Sequence, residues 1–249
     1  MRIAVAGGTG TVGRAVVAEV ERTGHSSVVL APSTGVDLTT GEGLDAALQG
    51  VDTVIDVSNA AVWTREASEA FFTAVTEHLL DGCVRAGVRH LVVLSIVGAD
   101  VVDLDYYFGK RRQEALVSAG PVPWTILHAT QFFDFAAQVL RNASGPVVEV
   151  PPMLAQPVAT VDIAARLVEL ATGPAQGVTP PIAGPERLTV AEMARQVVAR
   201  RGEDVEVRVQ DVPGRTGELM AGGALTPSGA FTVGKHTFAE YLDGLTPGR

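Results

Sequence analysis

The sequence predicts an α/β protein built on a doubly wound parallel sheet, and three features carry that prediction. Short apolar runs alternate with segments of helical period through the first half of the chain. The runs are continuous, as strands buried on both faces tend to be. A glycine cluster, Gly7, Gly10 and Gly13, separates the first run from the first helical segment. With 249 residues, 47% of them hydrophobic, the chain can bury a full core.

In chain order, Ile3-Ala4-Val5-Ala6 is the first strand, and the segment from Arg14 to Val20 repeats its apolar positions Val16, Val17 and Val20 with helical period. In a strand, tight turn, helix unit the first glycine permits the turn, the second lets backbone approach a ligand, and the third lets helix pack on strand. Exposed amides at the helix start then cradle a pyrophosphate, so the turn is a candidate dinucleotide site; an unliganded turn is the alternative. Ser27 to Ala31 and Thr53 to Val57 read as further strands. A long helix lies between Glu66 and Gly87, with Phe71, Val75, Leu79 and Cys83 on its inner face and Gly87 as its stop. His90 to Ser95 is a strand, Tyr106 to Ala119 a helix, and Trp124 to Leu127 a strand introduced by Pro121 and Pro123.

The second half is less regular. Phe132 to Leu140 reads as helical, Pro146 to Pro152 as extended, Asp162 to Ala171 as helical and Thr179 to Ala183 as extended. Leu188-Thr189 opens a helix running to about Arg201, and Val205 to Val209 alternates like a half-exposed strand. Gly214 to Gly234 is rich in turn residues and reads as loop with a short helix at Glu218 to Met220. The division expected is a core over residues 1–130, completed by about 155–186, and a substrate-binding region over 131–154 and 187–249.

Nineteen basic against 28 acidic residues give a net charge of −9, which argues against nucleic acid or an anionic membrane as partner. The N-terminus enters a strand at once, and the apolar run from Leu91 to Ala99 is far shorter than the roughly 20 residues of a membrane span, so a cytoplasmic location is expected. Cys83 is the one cysteine; it excludes an internal disulfide and a cysteine metal cage, and reads as a core thiol. No metal site is expected, and the oligomeric state is left open.

With the glycines placed, further landmarks follow in order: GGTGTVG at 7–13, GVDTVIDVSN at 50–59, GVRHLVVLSIVG at 87–98, YYFGK at 106–110, PWTILHATQFF at 123–133 and AGPERLT at 183–189. Together they resemble the atypical short-chain dehydrogenase/reductase superfamily and, within it, the NmrA-like NAD(P)-binding proteins. The resemblance spans nearly the whole chain. It implies a Rossmann-type sheet with a small C-terminal region closing over the nicotinamide, on a fold that hosts reductases, epimerases, dehydratases and non-catalytic sensors.

Tyr106 and Lys110 stand four apart, so on a helix they share one face. Bringing a tyrosine from near 10 to about 7 takes roughly 4 kcal/mol of phenolate stabilisation, which a nearby ammonium and the oxidised nicotinamide supply in part. A solvated helix face is the plainer reading of such a pair. Its place eleven residues after Ser95, in the helix following that strand, is where the superfamily puts its catalytic pair. The resemblance thus implies Lys110 at the nicotinamide ribose, Tyr106 exchanging a proton with the substrate, and Ser95 holding the same oxygen. Some NmrA-like members rely chiefly on the lysine, which ranks Lys110 first, Tyr106 second and Ser95 third.

The cofactor-binding candidates are Gly7, Thr9, Gly10, Thr11, Val12 and Gly13 in the turn, Ser58 and Asn59 after the third strand, and Lys110. For Ser58 and Asn59 the alternative is a cap for the helix after Trp63. Asp37 and Leu38 resemble the family's adenine-contacting pair, after a segment that looks shortened by a helix. The second strand ends in Ala31-Pro32-Ser33-Thr34 without an acidic residue for a ribose diol. Ser33 and Thr34, with Arg14 if it reaches, suit a 2′-phosphate, so NADP is favoured and NAD stays open. Phe132 and Phe133 are the substrate-pocket candidates, ahead of Trp63, Met153 and Met220. His128 reads as a hydrogen-bonded structural group, and Asp162 as the cap of its helix.

The function expected is an NAD(P)H-dependent reductase of a carbonyl, quinone or natural-product intermediate with a Tyr/Lys proton relay. The alternatives are a dinucleotide sensor that docks a partner protein, and an epimerase or dehydratase using the same site.

Overall fold

Each apolar run of the first half becomes a strand, and a computed structural model describes residues 1–62, 64–142 and 145–245. The elements in order are β1 (Arg2–Ala6), α1 (Thr11–Arg22), β2 (Ser26–Leu30), α2 (Leu44–Ala47), β3 (Thr53–Asp56), α3 (Arg65–Ala86), β4 (His90–Ile96), α4 (Asp105–Ala119) and β5 (Trp124–Ala129). They continue with α5 (Asp134–Asn142), β6 (Val147–Val150), β7 (Leu154–Ala155), α6 (Thr160–Thr172), β8 (Gly177–Val178), β9 (Ile182–Ala183) and β10 (Leu188–Thr189). The last are α7 (Val190–Arg201), β11 (Glu206–Val209), α8 (Arg215–Ala221), β12 (Thr232–Val233) and α9 (Phe238–Asp243).

The main sheet runs β12-β9-β5-β4-β3-β1-β2, with β8 also on β5, and its pairings are parallel. Strand neighbours switch sides at β1, which pairs with β2 on one flank and β3 on the other. The crevice at that point, beyond the strand C-termini, is where such sheets take ligands.

Successive side chains leave a strand on opposite faces, and here both faces are apolar. Ala4, Val54, Leu91, Val93 and Ile126 pack with Val75, Leu79 and Cys83 of α3. Ile3, Val5, Ile55, Val92 and Leu127 pack with Val16 and Val20 of α1 and Ile163 and Leu167 of α6. Within α3 it is Phe72, not Phe71, that is fully buried, because its ring turns toward α4. A third core gathers Phe133, Val148, Met153, Met193, Val197, Met220 and Phe238 from the C-terminal half.

The second half departs from the sequence reading in several places. The extended segment Thr179 to Ala183 holds the short strand β9, and a second short strand, β8, lies just before it. The 214–234 stretch supplies α8 and also β12, which rejoins the main sheet on β9. Helix α9, capped by a Thr237–Glu240 box, is six residues long, too short to show a helical period. Asp162 does not cap α6: Ala159 holds that position, and the carboxylate instead accepts from the His236 amide at 3.0 Å and pairs with His236 Nδ1 at 2.9 Å. Between β2 and β3 a three-residue 3₁₀ turn, Pro32–Thr34, and the four-residue α2 stand where the sequence looks shortened by a helix.

Candidate functional site

The glycine turn leaves β1 at the switch point. Gly7 sits at φ +75°, a conformation that suits glycine, and a Cβ there would stand 2.8 Å from Ser58 Cα. A Cβ on Gly13 would overlap the Gly7 carbonyl, whereas one on Gly10 would meet only that same oxygen, at 3.2 Å. Gly7 and Gly13 are thus fixed by packing inside the protein, and Gly10 faces open space. Gly10 also begins α1, with no side-chain cap and no acidic residue in the first turn. Thr9, Gly10 and Thr11 are exposed while Val12 is buried. Arg14 folds back to donate to the Thr9 carbonyl and so sets a cation beside the turn. Uncapped amides, a helix dipole and a guanidinium suit a pyrophosphate.

Ser58 closes the floor of the turn. Its amide donates to Asp56 Oδ1 at 2.9 Å, and its Oγ is buried without a hydrogen-bond partner, a state that favours a polar ligand or water beside it. Neither Ser58 nor Asn59 caps the next helix; Thr64 does, accepting from the Ala67 amide. Trp63 lies outside the described residues. These features fit a dinucleotide.

At the adenine end, Thr34 Oγ1 is committed to the carbonyls of Val29 and Ala31 at 2.8 and 2.9 Å, which takes it out of the expected phosphate contacts. Ser33 stays exposed in the turn. Asp37 accepts from the Thr39 hydroxyl and amide, and these bonds hold its carboxyl below the usual carboxylate range. Leu38 is buried, its carbonyl 3.0 Å from His78 Nδ1.

The three catalytic candidates each hydrogen-bond a different partner. Tyr106, half-buried, donates from its hydroxyl to Asn59 Oδ1 at 2.8 Å. Burial raises its pKa, and the nearby Tyr107 and Asp56 raise it further. Lys110 is 4% exposed; it donates to the Leu94 carbonyl at 2.7 Å and to Gln113 Oε1, with the Phe72 ring 4.7 Å away. Burial pushes its ammonium down to about 8 against the pull of Asp56 and Glu114. Ser95 gives its hydroxyl to Glu114. Glu114 also meets His128 Nε2 at 3.1 Å; burial works to raise its carboxyl, and the two hydrogen bonds prevail and hold it low.

Phe133 is 3% exposed and packs on Phe238 and Tyr241, so its ring belongs to the third core. Phe132 is half-buried against the cluster under α1 and α6 and pairs through its backbone with Val158. Met153 and Met220 are core residues. Burial pushes the Cys83 thiol up to about 12, which leaves it inert at neutral pH. Among the described residues no cluster of His, Cys, Asp or Glu could hold a metal, and no helix is long and apolar enough to cross a membrane.

Two residues at this site escaped the sequence reading. Asp56, 2% exposed, and Gln113, fully buried, join through Gln113 Nε2 to Asp56 Oδ2 at 2.8 Å. A lone acid in the apolar strand TVIDV was the available signal for Asp56. Gln113 offered none beyond its place one turn after Lys110.

Residues 7–174 match a protein-family model described as NAD(P)H-binding. A (4-alkanoyl-5-oxo-2,5-dihydrofuran-3-yl)methyl phosphate reductase of Streptomyces griseus is 30% identical over 146 residues, 53% of this chain and 48% of that protein. The chain thus spans about half the length of that curated relative. Among solved structures, the NADPH-dependent quinone oxidoreductase of Escherichia coli superposes with a TM-score of 0.73 at 18% identity, over 97% of this chain and 98% of that one. The UDP-glucose 4-epimerase of Thermus thermophilus, solved with NAD, gives 0.70 at 20% identity over 99% and 100%. At such identities the likeness speaks for the fold.

Proposed function

Because this chain belongs to the NAD(P)H-binding family, we propose that it is an NAD(P)H-dependent reductase of a small carbonyl, quinone or natural-product intermediate, with Tyr106 as the proton donor. One observation carries the reading: the Tyr106 hydroxyl is held on Asn59, whose neighbour Ser58 packs under Gly7, so a proton donor stands beside the glycine turn. The reductase relative, whose substrate name contains oxo and alkanoyl groups, and the quinone oxidoreductase neighbour support the substrate class.

When bound, the reduced nicotinamide supplies hydride to the substrate carbon. The chain's own part is to grip the pyrophosphate with the first-turn amides of α1 and Arg14, and to line the cofactor with Ser58 and Asn59. Tyr106, kept protonated by burial, is suited to give a proton to the substrate oxygen as negative charge develops there, and poorly suited to remove one. Lys110 acts from inside, through Gln113 and the Leu94 carbonyl, and contacts the ribose only if it leaves them. Phe132 is the apolar candidate for the substrate side. NADPH is the preferred donor in this reading, on the exposed Ser33 just after β2, with NADH accepted.

A second reading, a dinucleotide sensor without turnover, draws on the commitment of Ser95 to Glu114 and of Lys110 to Gln113, which leaves Tyr106 alone at the turn. Titrating the purified protein with NADPH and NADH, then following nicotinamide absorbance over a panel of quinones and ketones, tests both. Oxidation of NADPH by a panel member supports the reductase. Tight binding with no turnover of any member supports the sensor, and no binding of either dinucleotide defeats both.

A further inference from the structure

A buried chain of hydrogen bonds connects α4 to the floor of the glycine turn. Lys110 Nζ donates to Gln113 Oε1, Gln113 Nε2 donates to Asp56 Oδ2 at 2.8 Å, and Asp56 Oδ1 accepts the Ser58 amide at 2.9 Å. All three side chains are at least nine-tenths buried, at 4%, 0% and 2% exposure. The Gln113 amide can face only one way, because its oxygen must meet the cation and its nitrogen the anion. A buried cation and anion joined in this way are weak stabilisers, since desolvation consumes most of their attraction, and an apolar replacement is often neutral. Stability alone therefore does not account for the arrangement.

Its endpoints suggest what does. Asp56 bends the chain off β3 so that Ser58 lies under Gly7, where a glycine Cβ would come within 2.8 Å of Ser58 Cα and 2.9 Å of the Val57 oxygen. The next residue, Asn59, takes the Tyr106 hydroxyl. Helix α4 is thus tied to residues 56–59 twice, through Tyr106 directly and through Lys110, Gln113 and Asp56 one turn on. Ser68 Oγ of α3 donates to the Tyr106 carbonyl at 2.9 Å and so ties α4 to α3 as well.

We propose that Asp56 and Gln113 are positioning residues for the dinucleotide: by anchoring the Ser58 amide they set the floor of the glycine turn and the seat of the Tyr106 hydroxyl. The inference rests on the dinucleotide reading of the turn, and neither residue needs to touch the ligand. The polarity of the chain gives it a specific signature. Gln113→Glu alone sets a carboxylate against Asp56. Asp56→Asn alone sets two donors face to face, whether at Gln113 or at Ser58. The double variant Asp56→Asn/Gln113→Glu rebuilds every link with the negative charge moved one residue along. The carboxylate introduced at position 113 accepts from Lys110 and from the side-chain amide introduced at position 56, whose oxygen still accepts from the Ser58 amide.

The experiment measures NADPH affinity by fluorescence titration for wild type, both single variants and the double, together with hydrogen exchange of the 56–62 segment without ligand. Each single variant should weaken NADPH binding by about tenfold or more, in line with loss of a charge-assisted hydrogen bond, and should speed exchange of that segment. The double should return within about threefold of wild type on both. Singles that fold and bind NADPH like wild type overturn the proposal, as does a double that folds yet stays as weak as the worse single. Should a single fail to fold, the double decides by the same two criteria. If wild type binds neither NADPH nor NADH, the dinucleotide reading fails first, and exchange in the four proteins still reports whether the chain holds residues 56–59.

Discussion

The Tyr106 hydroxyl donates to Asn59 Oδ1 at 2.8 Å, across the gap between α4 and the segment that follows β3. Asn59 is exposed and Tyr106 half-buried, so the bond is within reach of solvent. A substrate oxygen entering there would compete with Asn59 for the same proton.

Tyr106→Phe removes that proton and little volume. Under the reductase reading turnover should fall by roughly 10²–10⁴, the range typical of general acid catalysis, while NADPH affinity and the circular dichroism spectrum stay as in wild type. Full activity of the variant on an identified substrate would remove Tyr106 from the mechanism.

Gly10 and Gly13 should respond in opposite ways to alanine. A Cβ at Gly10 meets only the Gly7 oxygen, at 3.2 Å, with no other atom within 4 Å. Gly10→Ala should fold with near wild-type stability and lose dinucleotide affinity, and Gly10→Val should lose it altogether. Gly13→Ala forces a methyl into the Gly7 carbonyl and should cost about 1–3 kcal/mol or more in urea unfolding, the usual range for overpacking. Equal stability of the two alanine variants would contradict the packing described.

The sheet and the glycine turn were legible because each depends on local sequence: continuous apolar runs, helical periods and three glycines at fixed spacing. Lys110, Tyr106, Ser58 and Asn59 were legible as positions but not as partners. Spacing along α4 puts Tyr106 and Lys110 on one face, yet Lys110 turns inward because Gln113 and the Leu94 carbonyl offer it acceptors there. Such contacts join residues that are far apart in the chain, and periodicity is blind to them. Phe133 follows the active-edge strand and so reads as a pocket residue from sequence; α9, which covers it, is only six residues long.

At the opposite end of β4, His90 bonds through Nε2 to Thr125 Oγ1 at 2.8 Å, and burial lowers its pKa below the usual 6.5. The unfolded chain therefore takes up the proton first on acidification. Stability is fully present above about 6.5 and is lost as pH falls from there toward the lowered folded value. Urea unfolding at pH 7 and pH 5 should show a larger loss for wild type than for His90→Asn. The same loss in both would assign the acid sensitivity to other groups.

Lys110 sets the corresponding behaviour at alkaline pH. Its ammonium titrates at about 8 in the folded protein against 10.5 for lysine in water, with burial as the main cause. Between those values the unfolded chain holds the proton and the folded one has released it, so stability rises with pH across that window and is flat below it. Compared with Lys110→Met, which cannot titrate, wild type should gain about 3 kcal/mol on going from below 8 to above 10.5. Tyrosine ionisation also enters at high pH, but it is common to both proteins and cancels in the difference. Parallel urea-unfolding curves across the window would place the Lys110 ammonium in water and break the link to Gln113 and Asp56.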